Sequence, residues 1–289
     1  MKQFIFLFVL LTQIAFASEA LSTNSMDDVV LKVKDKVSSF GKDNVLVVFD
    51  IDNTLLTSVN DLGSDQWFSW QEGLIKDPNC KPACVASDFG KLLEAQTLLF
   101  TIGKMKATEA ELPSKIKDLQ NLGVKIILLT SRGSDVRNLT ESALRKNGFN
   151  FASSTINPAQ DVPGDYLPYG LTELSRSGLT PEDVKTASLG QARPVSFMNG
   201  VYMTSGQNKG IMLKVLLKKY KVNPKAIIFA DDLQKHVDRM QAIMGNLTDL
   251  TTYRYGGVDE NVKRFNENDK TQVINEWYKL QSVLKDFGF

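Results

Sequence analysis

Three short apolar runs stand out along the chain: Val45-Leu46-Val47-Val48-Phe49, Val124-Lys125-Ile126-Ile127-Leu128-Leu129 and Ala226-Ile227-Ile228-Phe229-Ala230. Each is rich in β-branched or aromatic residues and bounded by polar ones, which is the pattern of a strand buried on both faces of a parallel sheet. Helical spacing of apolar residues fills residues 114–121 before the second run, 135–147 after it and 210–220 before the third. This alternation predicts an α/β fold, a parallel sheet flanked by helices on both faces. About eighty residues separate Asp50 from Thr130, more than one return helix requires. Apolar residues recur at helical spacing over 66–76 and 89–104, so a small helical cap is expected as an insertion at about 60–112.

Residues 151–204 carry Pro158, Pro163, Pro168, Pro181 and Pro194 among many glycines and read as a loop-rich insertion, with 197–203 as a further strand. Residues 18–43 read as an N-terminal helical segment ahead of a core spanning 44–289. The last stretch, 272–287, places Val273, Trp277, Leu280 and Leu284 on one helical face, expected to pack onto the sheet.

The beginning of the chain has a different pattern. Lys2 is followed by the unbroken apolar run Phe4 to Leu11 and by Ala15-Phe16-Ala17, the layout of a cleavable export signal over residues 1–17. The run falls short of the roughly 20 apolar residues of a bilayer span, and no later run exceeds strand length. The expectation is therefore a periplasmic or secreted protein with no stable membrane span after cleavage. Composition changes little in this picture. The 289 residues are 43% hydrophobic and 23% charged, with a net charge of +1. Loss of Lys2, the only charge in the leader, would leave it neutral. That balance gives no sign of a nucleic-acid partner, and oligomeric state is not legible.

Cys80 and Cys84 are the only cysteines. In an oxidising compartment they are expected to pair, because two thiolates without a neighbouring Cys or His pair would leave zinc under-coordinated. Such a short clip is worth roughly 2 kcal/mol and pins a turn.

Chemistry concentrates where the apolar runs stop. They end in Asp50, Thr130 and Asp231, and in an open α/β sheet the ligand crevice lies beyond the carboxyl ends of the strands, so these residues should converge. The first run continues as Asp50-Ile51-Asp52-Asn53-Thr54 and the third as Asp231-Asp232. Several carboxylates in one partly dry crevice repel unless a cation relieves them. Mg²⁺ suits them, since it prefers carboxylate oxygens and retains room for a substrate phosphate. Asp50 is the candidate nucleophile toward a phosphoryl group, and Asp52 the candidate acid and base for the leaving alkoxide and the attacking water. Thr130 offers a hydroxyl donor. Lys209 offers an ammonium at the start of a helical run, where backbone amides also favour an anion.

By these motifs and their order the chain resembles the haloacid dehalogenase-like superfamily of phosphohydrolases. Its first motif, an apolar strand followed by D-x-D-x-T, matches Asp50 to Thr54. Its second matches Thr130, with Ser131 beside it in the phosphate-binding position. Its third best fits Lys209, with Lys214 as the substitute, and its fourth matches Asp231-Asp232. The resemblance implies a Rossmann-like sheet, Mg²⁺ held by Asp50, the backbone carbonyl of Asp52, Asp231 and Asp232, and hydrolysis of a small phosphorylated substrate through an aspartyl-phosphate. Asp at the second carboxylate position resembles the phosphatases of that superfamily. The segment 61–68 resembles an exported bacterial branch that brings no substrate with it. The alternative is a secreted binding or effector protein on the same scaffold, because fold alone does not fix function.

Four further readings stay open in the sequence. Trp67, Phe68 and Trp70 either wall the substrate or pack the cap. Arg132 either clamps an anion or starts the next helix in solvent. His236, one turn past the acidic pair, either reaches the site or lies on the surface. The face of the final helix either packs or binds a partner.

Overall fold

The three apolar runs become adjacent central strands of one sheet in a computed structural model, which describes residues 18–156 and 164–286. The leader expected at residues 1–17 lies outside the described residues, as do Pro158 and Pro163. In chain order the strands are β1 (Ser18–Thr23), β2 (Val45–Phe49), β3 (Leu56–Ser58), β4 (Met105–Ala107), β5 (Lys125–Thr130), β6 (Ser196–Met198), β7 (Val201–Met203), β8 (Ala226–Asp231) and β9 (Asp249–Tyr255). Among the described residues the main sheet has seven strands in the order β1-β9-β8-β2-β5-β7-β6. All its pairings are parallel except β6 with β7. Its helices are α1 (Met26–Phe40), α2 (Asp65–Leu74), α3 (Phe89–Ile102), α4 (Leu112–Asn121), α5 (Arg137–Lys146), α6 (Pro181–Ala187), α7 (Lys209–Tyr220), α8 (Gln234–Met244), α9 (Asp259–Glu267) and α10 (Thr271–Asp286). The fold is the expected α/β, Rossmann-like arrangement. Among the described residues no helix is long and apolar enough to cross a membrane.

Residues on opposite faces of β2 enter separate cores. Val45, Val47 and Phe49 pack with α1 and α4 on one side, whereas Leu46 and Val48 pack with α7 and α8 on the other. Doubly covered strands of this kind need apolar residues at every position, which is why their sequence shows runs and not alternation.

Residues 18–23, read from sequence within a helical segment, are strand β1, parallel to β9 at the edge of the sheet. The segment 18–43 is therefore built into the core: β1 joins the sheet, and Met26, Val29, Val30 and Val33 of α1 are buried on it. Neither β1 nor β9, Asp249-Leu-Thr-Thr-Tyr-Arg-Tyr255, carries an apolar run. The single strand expected at 197–203 is a hairpin turning at Asn199-Gly200, both with positive φ, as a two-residue type I′ turn requires.

The cap insertion consists of α2 and α3, entered and left through the two-stranded ribbon of β3 and β4. Cys80 and Cys84 are bridged in the loop between the two helices, and Gln71 holds that loop by donating to Ala83 O at 3.0 Å and accepting from Val85 N at 2.9 Å. The expectation that the final helix packs onto the sheet is corrected. Val273 and Trp277 of α10 join Trp67, Leu92, Ala95 and Leu99 of the cap, together with Phe265 of α9, in a third core. Trp67 faces Trp277 with ring centroids 6.5 Å apart, and Trp70 meets Phe265 edge-on. The tryptophans of α2 thus pack the cap onto the C-terminal helices.

Candidate functional site

Asp50, Thr130 and Asp231 lie at the carboxyl ends of three neighbouring strands, with β2 between β5 and β8. The chain leaves β2 toward β5 on one side and returns to β8 on the other, so Asp50 and Asp231 flank the point where strand order reverses. After β2 the backbone makes a tight turn in which Ile51 O accepts from the amides of Thr54, Leu55 and Leu56. Asn53 takes positive φ there, and its Oδ1 accepts from Thr57 Oγ1. The Thr54 hydroxyl accepts from the Asp232 amide at 3.0 Å, tying this turn to the acidic pair.

Lys209 arrives from the other side. The turn 204–206 is zipped onto residues 130–132: Thr204 N and Oγ1 both donate to Thr130 O, Ser205 N donates to Arg132 O and Gly206 N to Ser131 O. Asn208 then caps α7 by accepting from Ile211 N, which leaves Lys209 as its first residue. Gly210 allows α7 to sit against α8, since a Cβ there would lie 2.5 Å from Arg239 O.

The Lys209 ammonium, 1% exposed, donates to Asp50 Oδ1 at 2.5 Å and to Asp231 Oδ2 at 2.6 Å. Burial works against that charge, but Asp231 and Asp50 outweigh it and hold its pKa above the ordinary lysine value. One ammonium thus serves two carboxylates. Burial pushes the Asp50 carboxyl up, to about 8, against the pull of Lys209 and with the push of Asp231 and Asp52. Asp232 is raised well above the ordinary range by burial and by the charges of Asp65, Asp231 and Asp50. Among the described residues no hydrogen bond reaches its carboxylate. Oxygens of Asp50, Asp231 and Asp232 lie within 4.8 Å of one another. This hard-oxygen set, under-compensated by Lys209, fits a divalent cation of the Mg²⁺ type.

Asp52 is held differently. Both its oxygens accept from Arg132, at 2.9 Å from Nε and 2.6 Å from Nη2. Arg132 is not solvated. It is 8% exposed, donates also to Thr140 Oγ1, and lies 4.2 Å from the ring centroid of Phe100 on cap helix α3. Thr130 is fully buried and its hydroxyl accepts from Arg132 N, whereas Ser131 is exposed at the rim. Lys214, the substitute for Lys209, pairs with Asp183 and takes no part in the cluster.

His236 is a correction. It is buried, not on the surface, and among the described residues its Nδ1 has no hydrogen-bond partner. Burial, reinforced by Lys209, Lys235 and Arg239, pushes its pKa down to about 2, so the ring is neutral.

Asp65, the first residue of α2, is the group that reading the motifs missed. Burial and the charge of Asp52 push its carboxyl up to about 6, against Lys235, Lys209 and Arg132. Its sequence position, just inside a helix start, looks like an ordinary favourable interaction with the helix dipole. Only docking of the cap brings it to the site.

A family model described as a protein of unknown function, DUF2608, matches residues 22–287, and the chain belongs to that family. No curated protein matches it.

Proposed function

We propose that this DUF2608 chain is a Mg²⁺-assisted phosphomonoester hydrolase that works through an aspartyl-phosphate on Asp50. One observation carries the reading: a buried carboxylate at a strand-order switch point is met by Lys209 at 2.5 Å and by Asp231 and Asp232, with a second carboxylate, Asp52, two residues on. The motif resemblance supports the same assignment.

Asp50 Oδ2, which Lys209 leaves free, attacks the phosphorus in line with the ester oxygen and forms an acyl-phosphate as that bond breaks. Lys209 neutralises charge beside the transferring group, and the Thr130 hydroxyl donates to one of its oxygens. Asp52, protonated by the incoming phosphomonoester monoanion, gives that proton to the departing alkoxide and, as the carboxylate so formed, takes the proton of the water that hydrolyses the acyl-phosphate. With both oxygens accepting from Arg132, Asp52 is presented as a base, and protonating one oxygen weakens that pair. Asp50, Asp231, Asp232 and the Asp52 carbonyl would hold Mg²⁺, which when bound supplies positive charge beside the phosphate.

The test is para-nitrophenyl phosphate hydrolysis by residues 18–289 with Mg²⁺, with chelator and as Asp50→Asn. Turnover lost in both controls supports the reading. Absence of turnover from pH 5 to 8 despite Mg²⁺ binding contradicts it and favours a binding protein on this scaffold.

A further inference from the structure

The two partners in the Asp52–Arg132 pair are exposed unequally. The Asp52 side chain is 21% exposed, enough to meet a leaving group, whereas that of Arg132 is 5% exposed. Behind Asp52, Arg132 is held from two sides that belong to different parts of the fold. On the core side, its Nη1 donates to Thr140 Oγ1 at 2.9 Å, and that hydroxyl donates in turn to Val136 O at 2.9 Å. The backbone of Arg132 is fixed there too, with N donating to Thr130 Oγ1 at 3.2 Å and O accepting from Ser205 N at 3.1 Å. On the cap side, the centroid of the Phe100 ring lies 4.2 Å from Arg132 Cζ, and Nη2 meets Met105 Sδ at 3.3 Å. These two residues bracket the exit from the cap: Phe100 is in the last turn of α3 and Met105 is the first residue of β4. Gly103 lets the chain turn between them, since a Cβ there would lie 2.6 Å from Leu99 O.

A carboxylate joined to a guanidinium by two bonds lies close to the plane of that fork. The plane of the fork is set in turn by the Phe100 ring against it and by Thr140 at its far end. Rotation of Arg132 therefore turns the Asp52 oxygens, and Phe100 is the cap's hold on that rotation. Proton transfer to an alkoxide needs the donor oxygen within hydrogen-bond reach and aligned, so a small tilt weakens it. A guanidinium keeps its proton throughout, so Arg132 acts by geometry alone. When one Asp52 oxygen carries the proton, the other still accepts from the fork.

Resting on the phosphatase reading, we propose that Arg132 is a positioning residue through which the docked cap sets the direction of the Asp52 carboxylate, with Phe100 as the cap's contact on it. Arg132 acts through Asp52 and gives no proton to the ester.

The test uses residues 18–289 with Mg²⁺ and compares kcat/KM for two esters. The alkoxide of ethyl phosphate cannot leave without a proton, whereas the phenolate of para-nitrophenyl phosphate can. Arg132→Lys, which keeps the charge and loses the fork, should lower ethyl phosphate about 100-fold and para-nitrophenyl phosphate about threefold or less. Phe100→Leu, which keeps apolar bulk and removes the ring, should shift the same ratio about tenfold, and the double variant no further than Arg132→Lys. A role confined to stability would lower both esters together, and an unchanged ratio overturns the inference. A ratio that moves in Asp52→Asn but not in Arg132→Lys or Phe100→Leu overturns it while upholding the phosphatase reading. Full addition of the two shifts in the double variant, or hydrolysis of the aryl ester alone by the wild type, also overturns it. If Arg132→Lys does not fold, Phe100→Leu, at a half-buried position, decides alone. Failure of every ester, para-nitrophenyl phosphate included, overturns that reading and this inference with it.

Discussion

Lys209 is the residue on which the buried charges depend, because its ammonium is the only direct ion-pair partner of Asp50 and Asp231 among the described residues. Lys209→Met keeps the stem and removes the charge, leaving two carboxylates buried against each other. In chelator this should cost about 3–5 kcal/mol of stability by denaturant unfolding. Mg²⁺ should recover more stability in the variant than in the wild type, because it supplies the missing charge. Equal stability of the two proteins would show that the pairs contribute nothing. His236 gives a separate, pH-dependent signal. Neutral in the folded protein and protonated below about pH 6.5 when unfolded, it stabilises fully above that pH and progressively less as pH falls toward 2. His236→Leu should remove that acid-side loss, up to about 1.4 kcal/mol per pH unit, in thermal unfolding followed from pH 7 to 5. The same acid slope in both proteins would refute it. The sequence showed Asp50, Asp52, Lys209 and Asp231 because their chemistry sits at strand ends and a helix start. It did not show the Arg132 pair with Asp52 or the approach of Asp65, since both depend on how segments far apart in the chain dock.

At the scale of elements, central strands were legible and edge strands were not, for a physical reason. The strands β2, β5 and β8 are covered on both faces and must be apolar throughout, whereas β1 needs only backbone pairing and one partly covered face. In β9 the buried Thr251, Thr252 and Tyr253 interrupt any apolar run, and Thr251 and Thr252 satisfy their hydroxyls through Glu19 and Gln241. Helix α10 was placed correctly along the chain but against the wrong partner: periodicity gives the apolar face of a helix and not what covers it. Its docking on the cap makes Trp277 a support for α2. Trp277→Ala should destabilise the protein by about 3 kcal/mol in denaturant unfolding and loosen α2 in hydrogen exchange, with the central strands unaffected. Protection of α2 equal to wild type would mean that the cap is held by other contacts.

For the whole molecule, the arrangement of layers explains why the chemistry is where it is. A parallel sheet covered on both faces leaves its strand ends as the place where polar groups can gather beside a dry interior. The reversal of strand order at β2 opens the crevice there. The cap and C-terminal helices form a core of their own outside the sheet, and α3 meets the strand ends where Phe100 lies against Arg132, the partner of Asp52. The central claim is covalent: Asp50 carries a phosphoryl group during turnover. Acid-quenched reaction with a radiolabelled phosphomonoester and Mg²⁺ tests it most directly. The account predicts an acid-stable, hydroxylamine-labile label on the peptide containing Asp50, absent in Asp50→Asn. Sustained turnover with no labelled protein, or a label that persists in Asp50→Asn, would contradict it.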